Sequence, residues 1–347
     1  MLVKTNSLKA WILAARPKTL TGAVAPVLVG IAFGVFTTAT KGAPEKLSMI
    51  ILPSVLCILF AILMQIDANF INDYFDFKKG ADSGERLGPE RACTQGWITP
   101  GAMKTGIAIV TAVSFLIGLP LMYYGGWLMA IVGIFCILGA FLYTTKLSYL
   151  GLGDFMVVLF FGIIPVFFTY HVIIWRGLDF PYLLSLKGGG NSGAAVLGYI
   201  VFGWIPLLSG LAVGLVTDNL LIINNYRDRK QDAENGKNTF VVTMGAKAAE
   251  WCYLLNGVVA TALCILSCGA FKNSIEGCLS GVAFPFHLVV PLLFLPFLFS
   301  AHRNMVRINH GKELNKVLGQ TARNILIYSI LFVVSIIIVT LQVCYSR

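Results

Sequence analysis

Two stretches of this chain gather oxygen-bearing side chains at a fixed spacing. The first reads Asn69-Phe-Ile-Asn72-Asp73-Tyr-Phe-Asp76-Phe-Lys-Lys-Gly80-Ala-Asp82. Asn69, Asn72, Asp73 and Asp76 are three, one and three residues apart, so on a helix they share one face. The second follows about 150 residues later as Asn224-Asn225-Tyr226-Arg227-Asp228, and runs on to Asp232, Glu234 and Gly236-Lys237. It repeats the pattern Asn-(Asp/Asn)-Tyr-x-Asp of Asn72 to Asp76, and each copy ends a long apolar segment. A helix C-terminus carries partial negative charge and repels carboxylates. Aspartates gathered there imply a cation, and all-oxygen ligands favour a hard one, Mg²⁺ or Ca²⁺. Two such helix ends suggest two metal sites facing each other across one substrate. Diphosphate is the natural substrate group, because Mg²⁺ binds through a few carboxylates plus phosphate oxygens. The repeat argues against the alternative, two solvated loops of ordinary charge.

The elements that position these motifs are membrane spans. Of 347 residues, 57% are hydrophobic and only 12% charged, about half the charged share of a soluble domain. The expected fold is all-α and polytopic, with about nine transmembrane helices around a central apolar cavity that opens to the cytoplasmic side. The spans are read at 19–37, 48–71, 103–123, 126–145, 154–175, 196–225, 248–271, 280–300 and 322–343. The net charge of +10 could point to nucleic acid. The cations lie next to spans, however, so membrane topology explains them and a nucleic-acid partner is not expected. No cleavage site follows the N-terminal cations, so the first span reads as retained. Eight cysteines lie mostly in apolar segments without CxxC, and four histidines are scattered. A zinc or haem site is therefore not expected.

Charge sets the orientation. With the N-terminus cytoplasmic and nine spans, the cytoplasmic side holds 20 of the 26 Lys and Arg, leaving Lys41, Lys46, Arg176, Lys187, Lys272 and Arg347 outside. The positive-inside rule then places both acidic motifs at the cytoplasmic face of the cell (plasma or inner) membrane, where Mg²⁺ and soluble diphosphates are found.

Further residues could join the site. Arg91, in the loop after the first motif, can form bidentate contacts to phosphate oxygens. Span 4 ends at Tyr143-Thr-Thr-Lys146, so a third helix end at the same surface offers a hydroxyl (Tyr143) and a cation (Lys146). Asp154 at the start of span 5 reads as a capping residue. Asp67 lies half a turn off the acidic face and is either functional or turned to another helix. Asp218, deep in span 6, is a functional candidate because ionisable groups at depth are costly. Trp11 to Thr19 could begin as a short interfacial helix.

Taken together, Asn72-Asp73-x-x-Asp76 with Asp82, and Asn224-Asn225-x-Arg227-Asp228-x-x-x-Asp232, resemble the UbiA superfamily of membrane prenyltransferases, over nearly the whole chain as one domain, 1–347. Gly88-Pro-x-Arg91, Tyr143-Thr with Gly151-Leu-Gly153-Asp154, Gly236-Lys237-x-Thr239 and Ala14-x-Arg16-Pro17-Lys18-Thr19 look like its 1,4-dihydroxy-2-naphthoate polyprenyltransferase (MenA) branch. The superfamily's usual third aspartate falls on Gly80, and Asp82 comes six residues after Asp76, which suits that branch better than the 4-hydroxybenzoate one. The resemblance implies Mg²⁺ on Asp73, Asp76, Asp82, Asp228 and Asp232, with Asn72 and Asn225 adding amide contacts. Arg91, Lys146 and Arg227 would neutralise the departing diphosphate. Asp73, Asp76, Lys146 and Tyr143 form the implied catalytic set. The implied substrates are a polyprenyl diphosphate and an aromatic acid, joined with loss of CO₂. Asp67 and Asp218 stand where neutral residues are expected. One alternative is a prenyltransferase for another aromatic acceptor, such as 4-hydroxybenzoate. A cation transporter is disfavoured, because transporters set their acids near the bilayer centre.

Overall fold

The computed structural model describes residues 3–40, 48–80, 87–143, 147, 150–177, 192–276 and 286–345. Among them there is no strand. In chain order the helices are α1 (Leu8–Ala15), α2 (Pro17–Thr40), α3 (Ile51–Lys78), α4 (Pro100–Gly125) and α5 (Leu128–Leu142). They continue with α6 (Gly153–Val158), a π-helical turn (Leu159–Ile163), α7 (Ile164–Gly177), α8 (Ser192–Glu234), α9 (Phe240–Met244) and α10 (Ala246–Glu276). The chain ends with α11 (Phe286–Val289), a 3₁₀ turn (Val290–Phe294), α12 (Leu295–Ile308) and α13 (Leu314–Tyr345).

Eight of the described segments are long and apolar enough to cross a bilayer: Pro17–Ala39, Ser48–Lys78, Pro100–Gly125, Gly153–Trp175, Gly203–Glu234, Ala246–Lys272, His287–Ile308 and Leu314–Gln342. They correspond to eight of the nine expected spans, and the two that carry the motifs run further at those ends, to Lys78 and Glu234. The remaining expectation, 126–145, meets the 15-residue helix α5. At 1.5 Å per residue it covers about 22 Å, short of the roughly 30 Å hydrocarbon core. Large apolar side chains on the outer faces, such as Phe115 and Leu116 of α4 or Trp251 and Leu266 of α10, are exposed, as lipid-facing positions must be.

Local chemistry sets the breaks. Ser7 caps α1, its Oγ accepting from the Ala10 N–H at 3.3 Å. Arg16 ends α1 in the left-handed region (φ 50°), and Pro17 then opens α2; proline disfavours the helical region for the residue before it. Helix α1 buries Ala10 and Ala14 and sets Trp11 against Phe70 of α3, ring centroids 5.3 Å apart. Leu8, Ile12 and Leu13 point outward and stay exposed, which gives the short N-terminal helix an unpartnered apolar face. Thr99 caps α4 with Pro100 in its first turn.

The core brings α2, α10, α12 and α13 together. Phe33 packs edge-on to Phe271 and Phe332 (5.1 and 5.9 Å between centroids), and Phe294 to Tyr328 (5.0 Å). Pro165 has no N–H to return to the preceding turn, and the π-helical turn sits just before it. That turn carries Gly162, where a Cβ would lie 2.3 Å from the Gly210 carbonyl oxygen and 2.5 Å from Gly214 Cα. Small residues at such contacts let membrane helices approach backbone to backbone.

Gly162→Ala should therefore destabilise the fold by ~1–3 kcal/mol through overpacking, read as a lower Tm in detergent. Gly319→Ala, where a Cβ meets nothing within 4 Å, should leave Tm unchanged or slightly raised.

Candidate active site

A cavity of about 320 Å³ runs between α2, α3, α4, α5, α6–α7 and α8. Most of its wall is apolar, including Val27, Phe60, Leu121, Met129, Phe160 and Phe168. The polar lining comes from the motif-bearing stretches: Arg16 and Thr19 of the α1–α2 junction, Gln65, Asn69 and Asn72 of α3, Tyr143 after α5, and Thr217 and Asn224 of α8. Gln65 and Asn69 brace this end. The Asn69 Nδ2 donates to the Ala15 carbonyl at 3.0 Å and to Thr19 Oγ1 at 3.2 Å, and Gln65 Nε2 donates to Thr19 Oγ1 at 3.3 Å. These bonds fix α1 and α2 against α3 beside Asn72.

The two acidic motifs sit in matching settings. Asp76, in the last turn of α3, is ion-paired with Arg91 from the following loop. Asp228 of α8 takes a bidentate pair from its neighbour Arg227: Nε to Oδ1 at 2.8 Å and Nη2 to Oδ2 at 2.6 Å. The third nitrogen of Arg227 donates to Asn315 Oδ1 at 2.8 Å, and Asn315 Nδ2 donates to the Leu87 carbonyl at 2.8 Å. Asn315 thus ties the second motif to the loop that follows the first. Asp232 is buried and lies 3.4 Å from Lys237 Nζ, while its Oδ2 has no hydrogen-bond partner.

The expected residues divide. Asn72 and Tyr143 line the cavity. Asp76 stands in the last turn of α3, Arg91 in the loop after it, and Arg227, Asp228 and Asp232 in the final turns of α8, all outside the cavity lining. Asp73 is 1% exposed, and both its oxygens accept backbone N–H groups, Ala92 to Oδ2 at 2.8 Å and Cys93 to Oδ1 at 2.9 Å. Asn225 is buried, and it is its neighbour Asn224 that lines the cavity. Asp82 and Lys146 lie outside the described residues. Asp67 is turned to another helix, accepting from Thr111 Oγ1 of α4 at 2.7 Å. Asp218 accepts from Asn256 Nδ2 of α10 at 3.1 Å. Four residues enter that sequence reasoning did not place: Arg16, Gln65, Asn224 and Asn315. Alignment of the two motif copies, Asn72 with Asn224, contains the signal for one of them.

Among the described residues no three His, Cys, Asp or Glu side chains converge enough to hold a metal ion by themselves. Asp76 and Asp228 each carry an arginine instead. The donors nevertheless suit Mg²⁺. They are oxygens only, the buried Asp232 Oδ2 lacks a partner, and Mg²⁺ takes few protein carboxylates when phosphate and water complete its shell.

The loop after α3 also shapes its own chemistry. Cys93 is 3% exposed, and burial, followed by the adjacent Asp73 charge, pushes its thiol up to about 12. A raised thiol leaves almost no thiolate below that pH, and the thiolate is the nucleophile. Site-resolved alkylation with a soluble maleimide at pH 7 to 8.5 should leave Cys93 unlabelled in the folded protein and label it after denaturation.

The model of the UbiA prenyltransferase family matches residues 23–330. The chain is 32% identical over 344 residues to the 1,4-dihydroxy-2-naphthoate octaprenyltransferase of Haemophilus influenzae, covering 96% of this chain and 97% of that one. It is 31% identical over 345 residues to the enzyme of the same name from Escherichia coli, covering 94% and 95%. A UbiA homolog from Archaeoglobus fulgidus, solved with GPP and Mg²⁺, shares the fold with a TM-score of 0.55 at 15% identity, over 95% of this chain and 99% of that one. The family match over most of the chain and relatives of more than 30% identity along nearly its whole length agree with the helical membrane scaffold: the chain belongs to the UbiA prenyltransferase family and is a prenyl-transferring membrane enzyme.

Proposed function

We propose that this enzyme transfers a polyprenyl chain from its diphosphate to 1,4-dihydroxy-2-naphthoate with loss of CO₂, a step of menaquinone synthesis. The observation that carries the reading is that Asn72 and Asn224, equivalent positions of the two motif copies, both line one mostly apolar cavity. A substrate with a diphosphate head and a hydrocarbon tail fits that distribution. The relatives named for dihydroxynaphthoate prenylation support the acceptor.

Asp76, Asp228 and Asp232, with the Asn72 and Asn224 amides, would hold Mg²⁺ beside the diphosphate; Asp82 belongs to the same expected set. Bound there, Mg²⁺ supplies Lewis-acid stabilisation of the charge that develops on the leaving diphosphate. Arg91 and Arg227 stand next to these carboxylates and present N–H donors to the phosphate oxygens; Lys146 adds a third cation. The allylic C–O bond breaks and its electron pair leaves with the diphosphate. The ring forms the new C–C bond to the allylic cation, and the ring–carboxylate bond breaks to release CO₂. Phe60, Phe160 and Phe168 line the cavity, excluding water and offering ring faces to the cation. The side with the N-terminus and the cation-rich loops is assigned to the cytoplasm of a cell membrane by charge. The contacts of Asn6 with Trp97, Asn315 with Leu87 and Arg229 with Asn309 show three of those loops at one end of the molecule.

In nanodiscs with Mg²⁺ and a polyprenyl diphosphate, dihydroxynaphthoate should give prenylated product and CO₂, and 4-hydroxybenzoate should give neither. Product from 4-hydroxybenzoate alone would overturn the acceptor assignment. Asp76→Asn and Asp228→Asn should each lower kcat/KM on the order of 10²–10³-fold, the usual cost of removing one preorganised electrostatic contact. Both variants should also need more Mg²⁺ for half-maximal rate. Unchanged Mg²⁺ dependence in both would remove these carboxylates from the metal set.

A further inference from the structure

The two motif copies align residue for residue: Asn72 with Asn224, Asp73 with Asn225, Tyr74 with Tyr226, Asp76 with Asp228. The fold respects that register. Asn72 and Asn224 both line the cavity. Asp76 and Asp228 both carry an arginine. Asp73 and Asn225 are both buried and neither lines the cavity. The second position of the motif is therefore buried off the cavity wall in both copies, and in one copy it is uncharged.

What Asp73 does hold is backbone. Its two oxygens accept the consecutive N–H groups of Ala92 and Cys93, at 2.8 and 2.9 Å, and those residues are 2% and 3% exposed. The residue just before them is Arg91, which sits on Asp76. The far side of the same loop is stitched to the N-terminal segment. Asn6 N–H donates to the Trp97 carbonyl at 2.8 Å, Thr99 N–H donates to Asn6 Oδ1 at 3.1 Å, and Thr5 Oγ1 donates to the Gly96 carbonyl at 3.2 Å. An ionised carboxylate is acceptor-only at both oxygens, so it suits two neighbouring amides, and such charge-assisted bonds are strong.

We propose that Asp73 is a positioning residue and not a metal ligand: its carboxylate clamps the Ala92–Cys93 amides and so delivers Arg91 to the diphosphate end of the cavity. The clamp itself stands on geometry alone; what Arg91 binds there rests on the proposed function above. An asparagine keeps the shape but not the clamp, because it offers one acceptor and turns an NH₂ group toward an N–H donor.

The test separates the two parts. Full-length Asp73→Asn enzyme in nanodiscs, without substrate or Mg²⁺, is compared with wild type and Asp76→Asn by hydrogen exchange over residues 91–97. Exchange should speed by at least about tenfold in Asp73→Asn, as expected from losing a hydrogen bond to a charged group, and stay near wild type in Asp76→Asn. In steady-state assays Asp73→Asn should raise KM for the prenyl diphosphate about tenfold or more. Its half-saturating Mg²⁺ concentration should not change. Asn6→Ala, which loosens the loop from its other side and lies on no motif, should raise exchange and KM in the same direction by a smaller factor; this keeps the test open should Asp73→Asn fail to fold. Protected amides in Asp73→Asn, or in Asn6→Ala if that is the only folded variant, would overturn the clamp. A raised Mg²⁺ requirement rescued by excess Mg²⁺ would make Asp73 a ligand after all. Fast exchange with an unchanged KM would leave the clamp standing and overturn the delivery of Arg91.

Discussion

A carboxylate at the C-terminal end of a long apolar helix faces the negative pole of that helix and little water. It must be met by positive charge. Much of this molecule's polar architecture follows from meeting that requirement twice. At the end of α3 the charge comes from Arg91, carried by the next loop. In α8 it comes from the adjacent Arg227. Neither guanidinium is placed by its own helix alone. Arg91 depends on the loop that wraps back over α3, and Arg227 is steadied by Asn315 from the start of α13. The same asparagine holds Leu87, so the two compensating cations belong to one connected scaffold.

That scaffold explains the division of labour along α3 and α8. The apolar faces of these helices build the cavity wall, and the final turns change to Asn and Asp. Asn72 and Asn224 turn inward, where neutral amides can line a cavity without a charge to bury. Asp76 and Asp228 come one turn later, where arginines reach them. Glycine contacts such as Gly162 with Gly210 and Gly214 let α8 approach the helix that carries Phe160 and Phe168. The polar end therefore sits on closely packed helices and not on isolated loops, which favours the fixed geometry that electrostatic catalysis needs.

Much of this was legible in residue order. The repeat, the long apolar runs and the clustering of cations near one set of loops follow from composition and spacing. The eight long spans are where hydropathy puts them, because lipid leaves the backbone little choice. For the remaining expectation, 126–145, the described residues hold the 15-residue helix α5. At the site, the resemblance put the second amide on Asn225, while the cavity selects Asn224, one residue and about 100° away. Asp67 and Asp218 look like functional outliers in sequence, yet each accepts a hydrogen bond from a neighbouring helix, Thr111 and Asn256. Such partners lie 44 and 38 residues away in the chain, and no local pattern points to them. Asn315 was hidden for the same reason, 88 residues from Arg227.

The central claim is that the two motif copies act on one diphosphate. A double-mutant cycle across the cavity tests it most directly: Asn72→Ala, Asn224→Ala and the pair, each assayed for Mg²⁺-dependent binding of a non-reactive prenyl thiodiphosphate. If both amides serve the same head group, the losses will be non-additive, with a coupling of roughly 0.5–3 kcal/mol. If the losses add to within about 0.5 kcal/mol, the two helix ends work independently and the shared site is wrong.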